Sequence, residues 1–220
     1  MRLFPTKTPS IIKRLYPKRI WSFSRSTETV FLTFDDGPIP EVTPWVLDTL
    51  AEYHAKATFF CIGENIQKHP EVFNRILTEG HAVGNHTQHH VNGWKTQTQT
   101  YLREVEKAET TISNFSNRKS KIENSKMLFR PPYGKLTSAQ AKQLQQKAYT
   151  IVMWDVLTYD FDTTLSPEKC FTQTKKAIRP GSIVIFHDSL KAEKNLRYVL
   201  PKVLDLITSK GWKTEGLFNT

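Results

Sequence analysis

Cysteine is scarce: Cys61 and Cys170 are the only two in 220 residues. With no Cys-x-x-Cys pair between them, a disulfide framework and a cysteine-built zinc module are excluded. Cys61 closes the apolar stretch ATFF and is expected to be buried. Long apolar runs are missing too. No segment approaches the roughly 18–20 apolar residues that a membrane-spanning helix needs. The first residues, MRLFPTKTPSIIKRLYPKRIW, carry positive charge but no continuous apolar stretch of signal-peptide length. The resulting expectation is a cytoplasmic protein with no membrane span, and association with a cell envelope is left open. Glycine-rich phosphate loops, zinc-finger spacings and recognition-helix patterns are also absent, which removes the usual motifs of nucleotide and nucleic-acid binding.

What the chain does have is basic charge: 31 Lys and Arg against 21 Asp and Glu, a net of +10. The basic residues are dispersed, so no nucleic-acid partner is expected, and the charge points instead to an anionic setting such as a cell envelope. A hydrophobic content of 38% can fill one core, and the length suits one large domain. No internal repeat is evident.

Short apolar runs alternate with amphipathic stretches. The strand candidates are VFLTF (30–34), ATFF (57–60), HAVG (81–84), MLF (127–129), TIVMW (150–154), SIVIF (182–186) and WKTEGLF (212–218). Helices are expected from Thr43-Pro44, over Thr98 to Phe115, over Thr137 to Lys147, from Ser166-Pro167, and along the stripe of Leu196, Val199, Leu200, Val203, Leu204 and Ile207. The polar stretch 116–126 reads as a loop. Such alternation predicts a parallel α/β protein, either a small barrel or an open sheet. Five polar clusters directly follow strands: Asp35-Asp36, GNHTQHH (84–90), Arg130 to Tyr133, Asp155 to Asp160, and His187-Asp188. The carboxyl ends of strands carry the site in such folds, so these clusters are expected to meet.

In LTFDDGP (32–38) two aspartates end an apolar strand. Residues on a strand alternate faces, so both can turn into one cleft only if the strand stops there, and Gly37 permits that turn. One carboxylate can then hold a cation while the other takes a proton from water, and the cation offsets their repulsion. His86 and His90, four apart, would stand on one face of a helical turn and could share a metal with Asp36. His89 is the substitute for either neighbour if the turn is tighter. Two imidazoles and a carboxylate suit Zn²⁺ or a similar divalent ion. Arg130 can fix a carboxylate, most naturally Asp35, through two parallel hydrogen bonds. Pro131 and Pro132 stiffen the loop after it, so the backbone N–H near Tyr133 is a candidate oxyanion donor. His187 can donate a proton to a leaving amine. Asp160 can orient that imidazole; Asp188 is an alternative, though adjacency suits it better to stabilising its loop. Trp154 and Phe161 are expected in the core, and Ile185 or Phe186 in an apolar pocket.

These motifs, TFDDG (33–37), HTQHH (86–90), RPPYG (130–134), WDVLTYDF (154–161) and IFH (185–187), resemble, in order, those of the polysaccharide deacetylases with a NodB-homology domain, carbohydrate esterase family 4. The resemblance implies a distorted (β/α)₇ barrel, placed over residues 28–220; the basic extension before it, 1–27, is expected to pack on or beside it. It also implies metal-dependent removal of N- or O-acetyl groups from a glycan, usually at N-acetylglucosamine. Carried over by motif, Asp35 is the base, Asp36, His86 and His90 hold the metal (Zn²⁺, with Co²⁺ or Ni²⁺ as substitutes), and Arg130 tethers Asp35. The Tyr133 N–H meets the oxyanion, Asp160 tunes the acid His187, and Ile185 lines the acetyl pocket. Phe161 stands where the family generally has Trp, and Leu157 where many members have Asp, changes that bear on substrate shape. Two other readings compete: an amidohydrolase of small amides, ureides or cyclic imides, and an inactive sugar-binding module. The intact set of base, ligands and acid argues against the second.

Overall fold

The computed structural model describes residues 5–115 and 127–218. The loop expected at 116–126 lies outside the described residues. Seven parallel strands form the sheet: β1 (Thr29–Asp35), β2 (Ala57–Cys61), β3 (Ala82–Asn85), β4 (Met127–Phe129), β5 (Tyr149–Ile151), β6 (Val156–Leu157) and β7 (Ile183–His187). Their order is β5-β4-β3-β2-β1-β7-β6, curled into a half-barrel. A short β8 (Lys213–Thr214) pairs only with Thr29 and Val30 at the start of β1. It is all that becomes strand of the expected 212–218, because β1 is already paired on both sides above that point.

Helices cover the outside, as a parallel sheet requires: α1 (Ser10–Leu15), α2 (Thr43–Glu52), α3 (Gly63–Lys68), α4 (Pro70–Thr78), α5 (Thr98–Phe115), α6 (Ser138–Gln146), α7 (Pro167–Ala177) and α8 (Glu193–Ser209). Alternation along β1 divides two apolar clusters. Leu32 and Phe34 join Phe59, Val184 and Phe186 beneath the buried stripe of α8. Phe31 joins Phe60, Leu128, Val152 and Ile183 on the inner face. Thr33 and Asp35 follow Phe31 along that inner face and lead up to the carboxyl ends of the strands.

Three elements depart from the sequence reading. Helices α3 and α4 lie between β2 and β3, where no helix is expected; α3 is only 6 residues long and α4 starts at Pro70 directly behind it. The run 150–154 is not one strand: β5 ends at Ile151, and the two-residue β6 begins beyond Trp154 and Asp155, too short to show as an apolar run. Asp155 therefore does not belong with the polar groups at the carboxyl ends. It precedes β6, at the opposite end of the sheet.

Asp155 there ties down the N-terminal segment. Among the described strands β5 and β6 form no ladder with each other; the N-terminal segment bridges to Val156 through Lys7 and to Val152 through Ile20, and Ser22 pairs with Ser182 ahead of β7. Leu157 N–H donates to Thr6 O (2.8 Å), Thr8 N–H to Asp155 O (2.8 Å), Ile20 N–H to Ile151 O (2.9 Å) and Met153 N–H to Ile20 O (2.7 Å). Ile20 and Phe23 pack on the inner cluster, with the Phe23 ring 4.4 Å from that of Phe31. The buried Asp155 carboxylate accepts from Lys7, from Lys13 at 2.5 Å and from Ser182 Oγ at 2.6 Å. Burial pushes its pKa up, but the hydrogen bonds from Lys13, Lys7 and Ser182 outweigh this and hold it below the usual value. Lys7 is itself lowered, because its burial outweighs the Asp155 contact, so the pair contributes less than the carboxyl shift alone implies. Asp155→Asn is expected to destabilise the protein by about 2 kcal/mol in urea unfolding, the scale of a charge-assisted buried hydrogen bond. Since a lowered carboxyl pKa stabilises in full above the unfolded value of about 3.9, the deficit should shrink below that pH and vanish as the pH falls through the lower folded pKa. A mutant as stable as the parent at pH 7 would mean that the tie is slack.

Candidate active site

Where β1 stops, the chain turns through Asp36 at φ 87, a conformation that non-glycine residues rarely adopt. That turn lets Asp35 and Asp36 face the same cleft. Asn65, at the start of α3, holds it by donating Nδ2–H to Asp36 O at 2.7 Å.

Asp35 is buried at 3% exposure, and its Oδ1 accepts from Arg130 Nη1 at 2.6 Å. The paired fork expected for Arg130 is not formed. Its guanidinium, fully buried and 4.1 Å above the Phe60 ring, spends its other donors on Thr33 Oγ1 (2.8 Å), Met153 O (2.9 Å) and Val152 O (3.4 Å). Those carbonyls lie just past the end of β5, so Arg130 spans the inside of the half-barrel. Asp35 Oδ2 is left for the cleft, 3.8 Å from His86 Nε2.

His86 and His90 come together without the expected helical turn. The segment after β3 is a loop with Thr87 at φ 66 and His90 at φ 54. Asn85 Oδ1 caps Thr87 N–H (2.9 Å), and Thr87 Oγ1 caps Val91 N–H (3.2 Å). Gly63 and Glu64 at the start of α3 donate to Thr87 O and Gln88 O. His86 Nδ1 lies 2.8 Å from Arg130 O, which fixes the tautomer and presents Nε2 to the cleft. Burial pushes its pKa down to about 4 against the pull of Asp35, so the ring is neutral, the form that ligates. His90 Nε2 is 3.2 Å and His86 Nε2 3.7 Å from Asp36 Oδ1. His89 turns away, half-exposed, with Nδ1 2.8 Å from Glu104 Oε2 on α5.

One donor atom each from Asp36, His86 and His90 fall within 4.8 Å of one another. Burial would raise the Asp36 pKa, but His90, His187 and His86 outweigh it and hold it well below the carboxylate range. An ionised carboxylate, a neutral anchored imidazole and a second imidazole at the cleft rim form a donor set that fits a divalent cation.

Asp35 and His187 are register partners across β1 and β7. The turn after β6, with Tyr159 at φ 61, brings in Asp160. Its Oδ1 is 2.8 Å from His187 Nδ1, its Oδ2 accepts His187 N–H at 2.7 Å, and α8 supports it through Asn195 Nδ2–H to Asp160 O at 3.1 Å. Burial lowers the His187 pKa, yet the Asp160 charge and hydrogen bond, with Asp36 and Asp35 adding to them, raise it to about 9. Asp188 bonds to the Gly37 turn rather than to His187.

Tyr133 sits at φ 59, with its side chain exposed and its ring centroid 4.5 Å from that of His90. A Cβ on Gly134 would come within 2.6 Å of the Trp154 ring, so glycine there lets the indole lie on the loop. Trp154 and Phe161, expected in the core, are only partly buried, and Phe161 stands edge-on to His187 at 4.9 Å. Ile185 is buried opposite Leu157 across β6 and β7, and Phe186 stacks on Phe34 at 5.6 Å. Sequence reasoning missed Thr33, Asn65, Glu104 and Asn195, which support the site from strands and helices whose local pattern carries no sign of it.

A half-barrel with charged groups gathered at the strand ends is an α/β protein, and the His–His–Asp cluster among them is a donor set that fits a metal ion. The chain belongs to the polysaccharide deacetylase family, whose description matches residues 24–152. A peptidoglycan-N-acetylglucosamine deacetylase of Bacillus cereus is 36% identical over 160 residues, 73% of this chain and 56% of that protein. A second protein of that name from the same species is 31% identical over 194 residues, 88% of each chain. The crystal structure of the Bc1960 peptidoglycan N-acetylglucosamine deacetylase, in complex with a naphthyl hydroxamate, superposes with a TM-score of 0.85 at 30% identity, covering 96% of this chain and 95% of that one.

Proposed function

We propose that this protein is a metal-dependent deacetylase that hydrolyses the N-acetyl group of N-acetylglucosamine units in a glycan such as peptidoglycan. The observation that carries the reading is the division of labour between the adjacent carboxylates. Asp35 is bonded to Arg130, Asp36 faces two imidazoles, and His187 stands across the cleft. Held by Asp36, His86 and His90, a divalent cation (Zn²⁺ by the nature of the donors) supplies Lewis acidity toward the acetyl carbonyl and water.

Asp35 takes the proton of the attacking water through the oxygen that Arg130 leaves free. Attack at the carbonyl carbon places negative charge on the acetyl oxygen, and the Tyr133 N–H is the protein donor for it. His187, charged and held by Asp160, passes its Nε2 proton to the amine nitrogen as the C–N bond breaks. Acetate and a free amino sugar leave, and no covalent intermediate with the protein is required.

An extended substrate suits the rim better than a small one. Tyr133 and Trp94 are 58% and 63% exposed beside His90 and the loop after Arg130, and Leu190 is 60% exposed just beyond His187. An open edge with exposed rings accepts sugar faces, whereas a small amide needs enclosure. The relatives' names support the same substrate class, and a net charge of +10 suits an anionic envelope glycan. The test is acetate release from peptidoglycan fragments and N-acetylglucosamine oligomers with Zn²⁺, Co²⁺ or Ni²⁺ supplied, alongside a panel of ureides and cyclic imides. Release from the glycans that disappears with chelator is expected. Turnover of ureides or imides alone would overturn the proposal in favour of a small-molecule amidohydrolase.

A further inference from the structure

We infer that Asp188 is a positioning residue for the cation site: its buried carboxylate fastens the turn that carries Asp36 to the end of β7. The inference rests on the reading of Asp36 as a ligand and goes beyond it, to what keeps that ligand in place.

Asp188 is 1% exposed, and its side-chain hydrogen bonds go to Gly37 and Thr43 rather than to a group assigned to the chemistry. Its Oδ1 accepts Gly37 N–H at 3.0 Å, and its Oδ2 accepts the Thr43 hydroxyl at 2.6 Å. The Thr43 oxygen in turn accepts Ile39 N–H at 2.8 Å, which links the clamp to the chain just after the turn. Through its backbone, Asp188 donates N–H to Asp35 O at 3.1 Å. The carboxylate occupies the space under the turn: a Cβ on Gly37 would lie 2.0 Å from Oδ2. With Asp188 in this place, position 37 has room only for glycine.

The chemistry of the pocket selects a carboxylate. Gly37 N–H is a fixed donor and Thr43 O–H is placed to donate, so an ionised carboxylate offers an acceptor to each; burial pushes the Asp188 pKa up to about 8 against the pull of these two bonds. Asparagine would keep an acceptor for Gly37 N–H and could bond Thr43 only with the hydroxyl turned round from donor to acceptor. The need for such a clamp follows from the turn: φ 87 at Asp36 is strained backbone that persists only where the surroundings over-determine it. Asn65 grips the turn from α3 at Asp36 O, and Asp188 grips it from β7 at Gly37 N. Since His187 precedes Asp188, the same residue joins the strand end bearing the acid to the turn bearing the ligand.

The experiment measures Co²⁺ and Zn²⁺ affinity by calorimetry and the d–d absorption of the Co²⁺ form, for wild type, Asp188→Asn, Thr43→Val and Thr43→Ser. Asp188→Asn is expected to weaken affinity by about 10–100-fold, the effect typical of groups that orient a ligand, and to alter the Co²⁺ spectrum. Thr43→Val is expected to do the same to a smaller degree, while Thr43→Ser, which keeps the donor, restores wild-type affinity and spectrum. A folded Asp188→Asn protein with wild-type affinity and spectrum overturns the inference. If Asp188→Asn fails to fold, Thr43→Val decides: unchanged affinity and spectrum overturn it, and a loss that serine restores supports it. A wild-type protein that binds neither ion overturns the reading of Asp36 as a ligand, and this inference with it.

Discussion

Asp35→Asn is expected to lower kcat by about 10²–10⁴-fold, the range that a positioned base contributes, while Zn²⁺ affinity stays within a few-fold of wild type. The asymmetry comes from what each carboxylate touches. Asparagine at 35 keeps an oxygen for Arg130 Nη1, so the scaffold is preserved, but its amide cannot accept a proton from water. Asp36→Asn should behave oppositely, because that carboxylate is the anion between His86 and His90. Its loss should appear first in calorimetry with Zn²⁺ and only through that in turnover. Wild-type kcat in Asp35→Asn, measured with saturating metal, would remove Asp35 as the base.

The second large effect belongs to His187 and Asp160. His187→Ala should lose a similar 10²–10⁴-fold in kcat, since nothing else assigned to the cleft carries a proton to the leaving nitrogen. Asp160→Asn is the more informative change, because it leaves the imidazole in place. An acid must be protonated, so activity falls as the pH rises through the His187 pKa, which the wild type holds at about 9. Removing the Asp160 charge deletes the main attraction that opposes burial, so the alkaline limb of kcat/KM should move to lower pH. With a cation on Asp36, attraction from that side is offset, and the metal-loaded limb should lie below that of the metal-free imidazole titrated by NMR. The same shift acts on folding. A histidine raised above its ordinary 6.5 stabilises the native state below that value, and the contribution is lost as the pH climbs through the folded pKa. An alkaline limb that does not move in Asp160→Asn would show that His187 is not the titrating acid.

The strand ends were readable because function and folding used the same residues there. Apolar runs such as VFLTF and SIVIF stop at charged residues, and both β1 and β7 end on the residue that faces the cleft, Asp35 and His187. Pairings that depend on distant chain segments were not readable. Val156 and Leu157 are a strand only because β7 lies alongside, two residues carrying no periodicity of their own. His86 and His90 are four apart, the spacing of a helical turn, yet the loop that joins them is built from left-handed residues and from bonds to α3. The Arg130–Asp35 contact was legible as a charge pair, but not its single bond, because the competing acceptors are carbonyls and a carbonyl has no identity in sequence. Asp155 misled for a related reason: its two lysines lie more than 140 positions away.

The segment along the gap between β5 and β6 bears on how the molecule avoids its own kind. A sheet that stops short of closure has two terminal strands, each with a row of backbone donors and acceptors ready to pair with another chain. Here residues 6–8 occupy the β6 side and Ile20 the end of β5, so neither rim is left bare along those stretches. The family match begins at residue 24, past both contacts. Cutting the chain at that boundary would keep every residue assigned to the chemistry and still uncover both rims, so the hazard of such a fragment is edge-to-edge aggregation before any loss of catalytic groups.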